Sequence, residues 1–161
     1  MSDKLQQILE QRQRVQAHKE VQHTVIFMII IFIIGIILTV VSWDIDAKIQ
    51  KLNCQSSSLK TSNKIVLCIG VTFIVSSLSF YVCSTKCGSV IRGFNYMFYI
   101  LTMLLLGIAL IVLGSIISSE SSKPECQNSG NPSTIWGLGV IITLLCLAFL
   151  FIRYRDNKLL L

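Results

Sequence analysis

Apolar positions fall into four long blocks, roughly Thr24–Trp43, Ile65–Thr85, Tyr96–Ser119 and Thr134–Ile152. None of the blocks contains an Asp, Glu, Lys, Arg or His. Each has about the 20 residues a helix needs to cross about 30 Å of hydrocarbon. A backbone in lipid must pair every N–H and C=O internally, so helix is the expected conformation. The pattern predicts an all-α, integral membrane four-helix bundle with spans near 24–43, 65–85, 96–119 and 134–152. A helical segment at 1–23 precedes this 24–152 domain, and a short basic tail at 153–161 follows it. The first block ends Val41-Ser42-Trp43-Asp44, with no small-residue cleavage site, so it is expected to be retained as a span.

The polar stretches set the expected topology. An even number of spans places both termini on one side, together with the short connection between the second and third blocks. That side carries nine lysines and arginines against five on the other, with four acidic residues on each, and it holds all five arginines. Basic residues near span ends favour the cytosolic side, so both termini are expected in the cytosol or its equivalent. Trp43 and Trp136 fall at the outer ends of their spans, and Tyr81, Tyr96 and Tyr154 at inner ends, where amphipathic rings anchor at headgroup level.

Residues 2–22 contain neither Gly nor Pro and are rich in good helix formers, with Leu5, Ile8, Leu9 and Val15 along one side. They suit an extension of the first helix, an amphipathic helix lying on the membrane, or a docking segment. The outer connections, Asp44–Lys64 and Glu120–Ser133, are rich in Ser, Asn, Gly and Pro, or in Ser and Lys, and read as loops.

Composition agrees with the pattern. The chain has 161 residues, of which 53% are hydrophobic and 14% charged, and its mean hydropathy is +0.70. A soluble domain of this length needs more polar surface to cover its core. The N-terminal segment mixes four basic residues with three acidic ones, which makes no phosphate-binding patch and argues against nucleic acid as a partner.

The six cysteines differ by position. Cys54 and Cys126 stand one in each outer connection and are candidates for a disulfide if that side is oxidising. Cys68 and Cys146 lie within spans and read as small packing residues. Cys83 and Cys87 flank the inner interface and are candidates for palmitoylation. Their Cys-x3-Cys spacing supplies only two metal ligands, with no histidine nearby, so neither a metal nor another cofactor is expected.

Helices in lipid associate through close approach at small residues and through a few hydrogen bonds. Thr72 and Ser76 in the second span, Gly107, Gly114 and Ser118 in the third, and Gly137, Gly139 and Thr143 in the fourth mark the expected contact faces. The first span is rich in isoleucine around a single glycine, Gly35. The second, third and fourth spans are therefore expected to pack most closely, with the first more exposed to lipid or to another subunit.

Proton relays, ion paths and counter-ions within membranes use ionisable side chains, which these blocks lack. No HExxH, Gly-rich phosphate loop or GxSxG occurs, so an enzyme is not expected. The hydroxyls of the second span offer an alternative, a small oligomeric channel or transport component. The favoured expectation is a structural or accessory protein acting by lateral assembly, its partners being membrane lipids and other membrane proteins or copies of itself. Four spans are an architecture rather than a family signature.

Overall fold

The computed structural model describes the backbone of residues 2–86, 89–126 and 132–158. Side chains are described over 25–82, 97–124 and 132–152, and at Gln7, Cys126, Tyr154 and Arg155. Among the described residues the chain forms α1 (Ser2–Lys51), α2 (Ser57–Lys86), α3 (Ser89–Ser121), a short 3-10 turn (Pro124–Cys126) and α4 (Pro132–Lys158). All four α-helices are long and apolar enough to cross a membrane.

At about 1.5 Å per residue, α1 is about 75 Å long, more than twice the thickness of the hydrocarbon core. It runs without a break from the polar N-terminal segment through the apolar block. The connection expected at Asp44–Lys64 is mostly helix: α1 continues to Lys51 and α2 begins at Ser57, leaving a turn of five residues between them. The reason is a one-sided polar pattern. Ile45, Ile49 and Leu59 are buried against the partner helix, while Asp44 and Lys48 form an exposed i,i+4 ion pair on the solvent side.

The turn itself follows from capping chemistry. Asn53 adopts a left-handed φ of 49°, a conformation Asn tolerates better than most residues. Its N–H donates to the Gln50 carbonyl at 3.2 Å, and the Cys54 N–H donates to the Ile49 carbonyl at 3.2 Å. This is a Schellman end, and it carries the expected apolar contact because Ile49 and Cys54 are both buried. Ser56 then caps α2, its hydroxyl accepting from the Leu59 N–H at 3.3 Å.

The bundle is two helical hairpins, α1–α2 and α3–α4, each packed intimately, with lighter contact between them through α2 and α3. Both hairpins use the same device. In α1, Thr39 Oγ1 donates to the Gly35 carbonyl at 2.8 Å, and in α4, Thr143 Oγ1 donates to the Gly139 carbonyl at 2.9 Å. Each Gly-x3-Thr pair receives a glycine from the facing helix. A Cβ added to Gly70 would lie 2.8 Å from Thr39 Oγ1, and one added to Gly107 would lie 2.9 Å from Thr143 Oγ1. Backbones thus touch directly in both hairpins, as expected where close approach supplies the association energy.

The expected ranking of the spans is overturned here. In the first span, 39% of the apolar window is buried, equal to the third and above the second (28%) and fourth (22%). Gly35, alone among isoleucines, is the contact point. Outward-facing Ile29, Ile33 and Val40 still present apolar surface on the other side of α1.

One polar device bridges α1 and α2 near the end of the bundle that carries the α1–α2 turn, the end expected to lie outside and named the outer end on that basis. The buried Ser42 hydroxyl donates to both the backbone O and Oδ1 of Asn63, each at 2.9 Å, and Asn63 Nδ2 donates to the Ser42 carbonyl at 2.9 Å. Asn63→Leu removes one acceptor of the Ser42 hydroxyl and strips the Ser42 carbonyl of its side-chain donor. The expected cost is about 1–2 kcal/mol, measured as detergent-titrated unfolding of the full chain. Unchanged stability would mean that other groups satisfy the site.

Candidate functional site

At the outer end, Cys54 and Cys126 are joined as a disulfide with Cα atoms 5.3 Å apart. The Schellman end places the first cysteine. The second closes the 3-10 turn, whose Cys126 N–H donates to the Lys123 carbonyl at 2.9 Å. Both sulfurs belong to residues only 1% exposed. Beside them the Ser56 hydroxyl donates to Glu120 Oε2 at 2.6 Å. Lys123 Nζ lies 2.8 Å and 2.9 Å from the two Glu120 carboxylate oxygens. Disulfide and hydrogen bond together tie the α1–α2 turn to the far end of α3.

At the inner end each helix contributes one ring to an aromatic node. Phe27 of α1 meets Tyr99 of α3 edge-on at 6.2 Å between centroids, and Phe149 of α4 at 4.7 Å. Phe80 of α2 packs on Tyr99 at 5.0 Å. The Tyr99 hydroxyl is satisfied by Ser77 at 3.1 Å, which gives α2 and α3 a buried hydrogen bond across the hairpin boundary. Tyr99→Phe keeps the ring and removes that bond. It should cost about 0.5–1 kcal/mol in the same unfolding assay, with the helical circular dichroism signal unchanged.

The residues expected at helix contacts separate into two groups. Gly107, Gly114 and Gly139 are buried between α3 and α4; Gly114 lies against the Trp136 backbone, where an added Cβ would sit 2.8 Å from the Trp136 nitrogen. Thr72, Ser118 and Gly137 lie elsewhere. Thr72 is exposed and turns its hydroxyl to the Cys68 carbonyl at 2.8 Å. Ser118 is exposed beyond the closest approach of the helices, and a Cβ on Gly137 would meet nothing within 4 Å. The cause is helical phase: at about 100° per residue, positions two apart point to nearly opposite sides, so buried Gly70 and Gly139 turn Thr72 and Gly137 away. Ser76 is half-buried and bonds the Phe73 carbonyl at 3.2 Å.

Trp43, Tyr81, Trp136 and Tyr154 are all about half exposed or more. The side chains of Tyr96 and Cys83, and Cys87 as a whole, lie outside the described residues. Among the described residues no group of three or more His, Cys, Asp or Glu is arranged to hold a metal. Sequence reasoning missed the Ser42–Asn63 pair, the Ser56–Glu120 bond, the Gly35–Gly70 contact and the aromatic node. The first had a usable signal, an isolated polar pair flanking Ile45, Ile49 and Leu59 at helical spacing.

The outer surface of the spans is the remaining functional feature. Large apolar side chains face outward on every helix, among them Ile33, Val75, Leu105 and Leu144. No protein family, curated protein or solved structure matches the chain.

Proposed function

We propose that the chain is a structural or accessory four-span membrane protein that acts by lateral assembly with other membrane proteins. It would serve as a membrane-organising tetraspan or as a small subunit of a larger membrane complex or enveloped particle. The observation that carries this reading is the contrast between interior and exterior. The interior is filled by Phe27, Phe73, Leu110 and Ile142, each 0% exposed, and among the described residues no fully buried side-chain nitrogen or oxygen lacks a hydrogen-bond partner. The exterior offers apolar ridges on all four helices, suited to lipid or to neighbouring spans. In this reading both termini face the cytosol or its equivalent, supported by the excess of basic residues there.

A pore through the single bundle gains no support from these features. Thr72 turns outward to lipid with its hydroxyl bonded to its own helix, and aromatic rings fill the inner end between the helices.

The test is extraction of the natively expressed protein into nanodiscs, followed by native mass spectrometry. Co-purification of other membrane proteins at fixed stoichiometry is the expected result. A homogeneous homo-oligomer without other proteins would overturn the accessory reading and favour a channel, to be tested by flux after reconstitution.

A further inference from the structure

A groove of about 560 Å³ opens at the outer end of the α3–α4 pair, lined chiefly by Ser115, Ser118, Ser119, Ser122, Ser133 and Trp136. Its floor is the backbone contact between Gly114 and Trp136. Beyond that point towards the ends of the two helices the lining is mostly serine, whose side chains fill little space.

The chemistry of the lining is selective. The Ser115 hydroxyl donates to the Ile111 carbonyl at 3.0 Å, and the Ser122 hydroxyl to the Ser118 carbonyl at 2.9 Å. The hydroxyls of Ser118, Ser119 and Ser133 have no partner among the described residues and remain available to a ligand. Among the described residues no charged side chain lines the groove. Next to Ser119 in sequence, Glu120 accepts from both Ser56 and Lys123. Trp136 is 48% exposed beside the hydroxyls and opens the fourth candidate span, which starts at Pro132. A half-exposed indole there sits at headgroup depth. Below the groove, Val112 and Ile108 continue the Ser115 face of α3 one and two turns into the span, and both are exposed and apolar.

An uncharged set of hydroxyls beside an aromatic face, continuous with an apolar track into the bilayer, suits an uncharged polyol carried on acyl chains. The described lining offers a phosphate no cation, the adjacent Lys123 being paired with Glu120, and a bare acyl chain would leave the hydroxyls unmatched. We propose that this groove binds the sugar headgroup of a neutral membrane glycolipid. The sugar hydroxyls exchange hydrogen bonds with Ser118, Ser119 and Ser133. The sugar's C–H face stacks on the electron-rich face of Trp136, and the acyl chains lie along Ile108 and Val112.

The test uses the full chain in phosphatidylcholine nanodiscs doped with a glucosyl diacylglycerol as the probe. Trp43→Phe leaves Trp136 as the sole tryptophan, since the chain has two. The expected result is a saturable change in Trp136 fluorescence with glycolipid content, weakened about tenfold or more in Ser119→Leu, which fills the groove from an exposed position. Helical circular dichroism and the oxidised disulfide serve as the check that this variant is folded, and Ser133→Leu is the second variant should it fail. A response that rises linearly with glycolipid, or that persists unchanged in the folded leucine variant, would overturn the proposal. So would an equal response to water-soluble methyl glucoside, which would make the site one for free sugar, or a stronger response to phosphatidylglycerol, which would make it an anion site.

Discussion

Gly35→Ile is expected to destabilise the bundle by about 3 kcal/mol although it adds one more isoleucine to an isoleucine-rich span. A Cβ at this position would sit 3.0 Å from the Gly70 carbonyl oxygen, 3.0 Å from Ile74 Cγ1 and 3.0 Å from Phe73 Cβ. The carbonyl belongs to the α2 backbone and cannot rotate away, so the remaining carbons of isoleucine must push the helices apart. Overpacking of this kind typically costs about 1–3 kcal/mol. Separation also forfeits the dispersion contacts along the pair, which places the estimate at the upper end. Gly137→Ala is the matched control. Nothing lies within 4 Å of its added Cβ, and replacing a helical glycine should be neutral or stabilise by about 0.5–1 kcal/mol. Both are measured by detergent-titrated unfolding in mixed micelles. Equal stability of Gly35→Ile and the parent would show that α1 does not need backbone contact with α2.

The four spans are legible in the sequence because bilayer thickness imposes a length and lipid imposes apolarity, and both can be counted along the chain. The faces of those spans are not legible in the same way. A soluble helix announces its buried side by alternation of polar and apolar positions, whereas a helix that is apolar all round carries no such phase. Gly35 therefore reads as an isolated small residue, and nothing local distinguishes it from Gly137, which faces open space. What separates them is the helix opposite, Gly70 against one and no close neighbour against the other. The same blindness made Thr72 resemble a contact residue, although its hydroxyl needs only its own helix. The outer ends were misread for a different reason. Ser-rich and Lys-rich segments suggest loops, yet Ile45, Ile49, Leu59 and the Ser42–Asn63 pair carry one face of a helical hairpin beyond the apolar blocks. The pairing of Cys54 with Cys126 was readable because each outer connection holds a single cysteine, so counting served where geometry could not. The Ser56–Glu120 bond depends on where two helix ends meet, which no local pattern encodes.

Removing that disulfide is expected to cost about 2–4 kcal/mol, most of it by loosening one hairpin from the other. The bridge spans a sequence separation of 72 residues, for which the chain-entropy model gives about 4 kcal/mol in a free chain. A membrane narrows the difference, because separated helices remain inserted and already confined. Within each hairpin the glycine contacts persist without the bridge. Between hairpins the disulfide and the Ser56–Glu120 bond hold the outer end, while the Tyr99 node holds the inner one. Loss should therefore appear first as faster amide exchange at the outer ends of α2 and α3. Cys54→Ala, Cys126→Ala and the double variant should be equally destabilised, since either change breaks the same bond. Reductant should lower the parent to their level and leave them unmoved. Additive losses in the two single variants would instead mean two thiols packing independently. The redox state in native membranes carries a second inference. Protection of Cys54 and Cys126 from a thiol reagent until reductant is added would place the outer ends in an oxidising compartment, on the side opposite the nine basic residues. Two free thiols there would reverse that orientation and leave the hairpins joined by their apolar contacts, the aromatic node and one hydrogen bond at each end.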